Sequence, residues 1–70
     1  MMIEVYKTNV QEVEQSLLIV GKLLEHFPNS HINFDLEDCD RILRVHAPSI
    51  SNQRIIELLD SYGYHCEVLL

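Results

Sequence analysis

Apolar and polar side chains alternate along "MIEVYK" (residues 2–7), with Ile3 and Val5 on one face and Glu4 and Tyr6 on the other. A period of two predicts a strand, its Ile3–Val5 face turned to the core. The spacing then lengthens. Val13, Leu17, Val20, Leu24 and Phe27 recur every three or four residues, which predicts a helix whose apolar stripe seeks the core. Thr8 or Asn9 is placed to cap it, a short side-chain oxygen accepting an orphaned backbone N–H. Pro28 ends it by disfavouring helical conformation at Phe27. Gly21 costs helix stability and is expected to allow close packing against the sheet.

Alternation returns in "HINFDL", with Ile32, Phe34 and Leu36 on one face, and in "RILRVH", with Leu43 and Val45 there. Pairing Phe34 with Leu43 and Ile32 with Val45 makes a hairpin and leaves Glu37-Asp38-Cys39-Asp40 as a four-residue loop. A slip of one residue would turn one apolar set outward, so the register is determined. After "APSIS", Ser51 caps a second helix carrying Ile55, Ile56, Leu58 and Leu59. Gly63 ends it, as a residue able to take positive φ. The last strand is "YHCEVLL", running to Leu70, with Tyr64, Cys66 and Val68 inward.

The order βαββαβ, with short connections and right-handed crossovers, predicts an α+β fold: a ferredoxin-like sandwich whose antiparallel sheet is ordered 4-1-3-2, with two helices on one face. Residues 1–70 make one domain, of a size at which a single core barely suffices. The start of the first helix, the hairpin tip and the start of the last strand then gather at one end of the sheet.

In "INFDLEDCDRILRVHAPSI" and "IIELLDSYGYHCEVL" the chain resembles the heavy-metal-associated domain of copper chaperones and metal-pumping ATPases. The shared pattern is a strand, an acidic turn, a strand, and a helix ending in Gly-Tyr before an apolar strand. The resemblance implies Cu(I) held by two thiolates of a Met-x-Cys-x-x-Cys loop before the first helix, soft ligands for a soft ion. Here that stretch reads "KTNVQEVE". Counting from the first strand puts Asn9 and Glu12 in the cysteine positions; counting back from Pro28 gives Glu12 and Gln15. Neither register supplies a thiolate, so the CxxC motif is missing.

Composition narrows the functions. Eleven acidic residues against five basic ones give a net charge of −6, which argues against nucleic acid, where a basic stripe supplies affinity. A basic protein partner is compatible with that charge. The longest apolar cluster, Leu17 to Val20, is too short to span a bilayer, so no membrane is expected. The N-terminus lacks the layout of a signal peptide, and two cysteines without one suggest reduced thiols in a cytoplasm. No Ser/His/Asp or Cys/His spacing implies catalysis, and no enzyme is expected.

Candidate metal ligands are Cys39, His31 and His46, for Cu(I) or Zn²⁺. Cys39 and Cys66 belong to opposite edges of the expected sheet, about 14 Å apart, too far for a disulfide. His31 and His46 face each other across the hairpin, and two imidazoles make an incomplete zinc site. The expected open face of the sheet carries Glu4, Tyr6, Asn33, Ile42, Arg44, His65, Glu67 and Leu69. The edge of the fourth strand offers unpaired backbone, so Tyr6, His65, Glu67 and Leu69 are the expected surface for a protein partner or for self-association. The leading expectation is a metal-chaperone-like domain that has lost its thiolates and serves as an interaction or regulatory module. Two alternatives stand beside it: a heavy-metal binder with non-standard ligands around Asn9, Glu12 and Cys39, and a small-molecule-sensing regulatory domain of the same topology.

Overall fold

The computed structural model describes residues 1–69; Leu70, the expected end of the last strand, lies outside them. Strands β1 (Met2–Thr8) and β3 (Ile42–Ala47) pair antiparallel at the centre, from Met2 opposite Ala47 to Lys7 opposite Ile42. Strand β2 (His31–Asp35) pairs with β3, and β4 (Cys66–Val68) with β1, so the sheet runs β2-β3-β1-β4 and every neighbouring pair is antiparallel. Helix α1 (Val13–His26) follows β1 and helix α2 (Asn52–Ser61) follows β3. Ile19 and Leu23 of α1 and Ile55 and Leu59 of α2 share one buried cluster with Tyr6, Leu43, Val45 and Cys66 of the sheet.

The β2–β3 register is the one the alternation predicts, with Phe34 opposite Leu43 and Ile32 opposite Val45. The last pair is Asp35 with Ile42, so the connection runs from Leu36 to Arg41 and is longer than the four residues expected. Arg41 adopts φ 50°, and its amide donates to the Asp38 carbonyl, which closes the turn. Helix α2 also follows its sequence. Ser51 caps it by accepting from the Arg54 amide, and Gly63 leaves it at φ +86°.

Two faces differ from expectation. Residues directly opposite in an antiparallel pair share a face of the sheet. Tyr6 lies opposite Leu43 and Glu4 opposite Val45, so these residues of β1 turn inward and Ile3 and Val5 turn outward. Tyr6 is fully buried, its hydroxyl donating to Asn52 Oδ1 at 2.6 Å, whereas Ile3 is 59% exposed. Thr8 is buried as well, its hydroxyl donating to the Arg41 carbonyl. Tyr6 and Glu4 therefore leave the open face, and Tyr6 leaves the expected interaction surface. Ile42 lies on that outer face beside Lys7 but is only 5% exposed, so it is not a solvated residue.

Helix α1 begins later than expected and presents a different side. Its N-cap is Glu12, not Thr8 or Asn9, and its buried residues are Ser16, Ile19 and Leu23. Ser16 is accommodated because its hydroxyl donates to the Val13 carbonyl one turn back. Val13 and Leu17, assigned to the core by periodicity, are 64% and 66% exposed; Leu24 is also exposed and Val20 half-buried. Gly21 does not pack on the sheet: a methyl group there would meet no atom within 4 Å.

The inward face of β1 is testable by substitution. Tyr6→Ala is expected to cost about 3–5 kcal/mol, the range for removing a buried aromatic ring. Ile3→Ala is expected to stay within about 0.5 kcal/mol, as for an exposed site. Urea unfolding of the two variants measures both, and equal losses would overturn the face assignment.

Candidate functional site

The end of the sheet where a metal loop would lie is closed by side-chain-to-backbone bonds. Asn9 Oδ1 accepts from the His65 amide at 2.8 Å, and the Asn9 amide donates to the His65 carbonyl at 3.3 Å. Asn9 thus ties the first loop to the start of β4. Glu12 heads α1, and Gln15 Oε1 accepts from the Gln11 and Glu12 amides, both at 3.2 Å. Of the three positions that either count places at the thiolates, Asn9 holds the start of β4, Glu12 is the N-cap of α1 and Gln15 holds the backbone just before the helix. Arg41 joins the hairpin to the same end, its guanidinium donating to the carbonyls of Leu36 and Gln11 at 3.0 and 3.3 Å.

At the hairpin tip, ligand atoms of Asp38, Cys39 and Asp40 lie within 4.8 Å of one another, with Asp38 and Cys39 exposed. The turn accounts for both carboxylates. Asp38 accepts from the Asp40 amide at 2.9 Å, and Asp40 pairs with Lys7 at 3.9 Å. His31 and His46 are register partners, and no third ligand joins them among the described residues. Cys39 is a free thiol at the surface and Cys66 a free thiol in the core. Burial, with the Glu67 carboxylate adding to it, pushes the Cys66 thiol up to about 12.

On the expected interaction surface, His65 and Glu67 are exposed and pair with each other at 3.4 Å. Leu69 is exposed, and its amide extends the pairing of β4 to the Val5 carbonyl at 2.9 Å. A second uncovered surface lies elsewhere. Val13, Leu17 and Val20 of α1 and Ile32, Phe34 and Leu36 of the β2 side line an open groove of about 570 Å³. Those β2-side residues are only half-buried, because the helix covers them incompletely. Leu24 continues the stripe along α1. Apolar side chains at spacings of four, three and four residues form a seam suited to another helix.

Comparison with family profiles, with characterised proteins and with solved structures gives no match to this chain. The groove's sequence signal was the stripe itself, whose periodicity does not distinguish a core from a docking seam. Val10, fully buried in the loop before α1, had no periodic signal at all.

Two measurements check these assignments. Cu(I) is expected to pass completely to a strong chelator, with no stoichiometric copper left on the protein by native mass spectrometry. The second concerns alkaline pH. A group whose folded pKa is raised holds its proton more tightly when folded, so its contribution is full below the unfolded value and is lost as pH rises through the folded one. For Cys66 that window runs from about 9 to about 12. The urea midpoint is expected to fall across it, and less steeply in Cys66→Ala.

Proposed function

We propose that this chain is a non-enzymatic protein-interaction domain, built as a ferredoxin-like βαββαβ sandwich and working in a reducing cytoplasm. The sheet order, read from its other edge as 4-1-3-2, supports that fold, and two free cysteines suit that compartment. The likeness to heavy-metal-associated domains is proposed for the fold alone, since Asn9 and Glu12 occupy the thiolate positions in structural roles. The observation that carries the interaction reading is the uncovered seam of Val13, Leu17 and Leu24 beside the half-buried Ile32 and Phe34. A small acidic domain has little reason to leave three large apolar side chains in a row on one helix unless something covers them. No helix among the described residues is long and apolar enough to cross a membrane.

Self-association through β4 and the open sheet face is the lesser route. Without Tyr6 it offers Glu67 on β4, a strand of three residues, with His65 and Leu69 just outside its ends. Sedimentation of the wild type and of Leu69→Lys measures that route directly.

The seam is tested with a photo-crosslinking side chain at position 13. A discrete protein adduct is expected in cells, lost on adding Leu17→Lys and not formed from position 57 on α2. Leu17→Lys itself is expected to shift unfolding stability by no more than about 0.5 kcal/mol, because Leu17 is exposed. Loss of folding in that variant, or identical adducts from positions 13 and 57, would overturn the reading.

A further inference from the structure

We propose that the seam on α1 receives an amphipathic α-helix of another protein, packed across Gly21 and carrying lysine or arginine beside its apolar face. This rests on the interaction reading above and names the partner's chemistry.

The shape of the seam selects a helix. Val13, Leu17, Val20 and Leu24 lie on one line of α1, about a quarter-turn from the buried line of Ser16, Ile19 and Leu23. From Val13 to Leu24 the seam runs about 16 Å at 1.5 Å per residue, so roughly three turns of a partner cover it. Gly21 is the second observation. Glycine inside a helix is unfavourable, yet this one is exposed and has open space around it. No atom among the described residues lies close enough to require it. It borders Leu17 and Leu24, four and three residues away on the helix, and a missing side chain there lets a second backbone approach closely.

Charge selects the partner's flanks. Glu37 lines the groove, Glu12 and Glu14 flank Val13 at the N-terminal end of α1, and none of the three has an ion pair among the described residues. Of the cations on these elements, two have carboxylate partners and one donates to carbonyls. Arg44 pairs with Asp35 at 3.5 Å, Lys22 with Glu25 at 3.5 Å, and Arg41 is bonded to carbonyls. A second copy of this chain would bring a further net charge of −6 and its own glutamates to the same seam. Like charges across an interface oppose association, and opposite charges steer it. A basic flank is therefore the complement.

The test uses three synthetic 18-residue peptides: a Leu/Lys amphipathic helix, a Leu/Glu helix with the same leucine positions, and a scrambled Leu/Lys sequence. Each is titrated into the ¹⁵N-labelled protein at physiological salt. The Leu/Lys helix is expected to shift the amides of residues 13–24 and 32–36, with at least tenfold higher affinity than either other peptide. Gly21→Leu is expected to leave the unbound domain at least as stable and to weaken that peptide at least tenfold. If the Leu/Glu helix binds the seam equally well, the basic partner is wrong and the docking seam stands. If the protein alone is a dimer that Leu17→Lys dissociates, the occupant is a second copy and the proposal fails while the interaction reading holds. If the scrambled peptide binds as well, or no peptide perturbs the seam, both fail.

Discussion

The placement of every element above the sheet depends on which face of β1 carries Tyr6. That residue lies opposite Leu43 and is fully buried in the core cluster, where its ring adds more apolar surface than Val5 or Ile3 would. A buried hydroxyl left unpaired costs on the order of 1–3 kcal/mol, so the ring is acceptable there only with a partner. Asn52, the first residue of α2, supplies it. One side chain thereby joins the central strand to the start of the second helix. Two residues on, Thr8 repeats the arrangement toward the hairpin, through the Arg41 carbonyl. The central strand thus carries polar groups inward, each with its acceptor already in place.

That inversion marks the limit of what the chain's pattern discloses. The β2–β3 hairpin and α2 were legible because their apolar residues fall on one face and their ends carry explicit signals, Ser51 and Gly63. In β1 both parities are apolar, Ile3 and Val5 against Tyr6, and alternation alone does not choose between them. Pairing with β3 does. In α1 the chain carries two apolar lines, and the more conspicuous is the uncovered one. Ser16 disguises the true core line, since a serine satisfied by its own preceding turn breaks the apolar period without breaking the packing. Arg41, left-handed at the hairpin's end and bonded to two loops, gave no pattern to read.

The closed end of the sheet also bears on chemistry. A loop that accepts and releases a soft metal must leave its ligands free and its backbone mobile. Here Asn9 and Gln15 direct side-chain oxygens at backbone amides, and Arg41 bridges two segments. The residues that would have to open are the ones that hold β4 and the head of α1 in place. Structural closure and metal exchange make opposing demands on this loop, and the residues present meet the first.

The sheet order has a consequence for how the chain acquires its structure. The central strand β1 has no sheet neighbour nearby in sequence: α1, β2 and the hairpin turn intervene before β3 becomes available, and α2 before β4. Helix α1 and the β2–β3 hairpin close locally and quickly, whereas β1 must wait for long-range closure, the slow kind of event in small domains. During that interval β3 presents an unpaired edge on the side meant for β1. A passing strand can occupy it. Arrival of β1, with Tyr6 reaching its place opposite Leu43, closes that edge of β3.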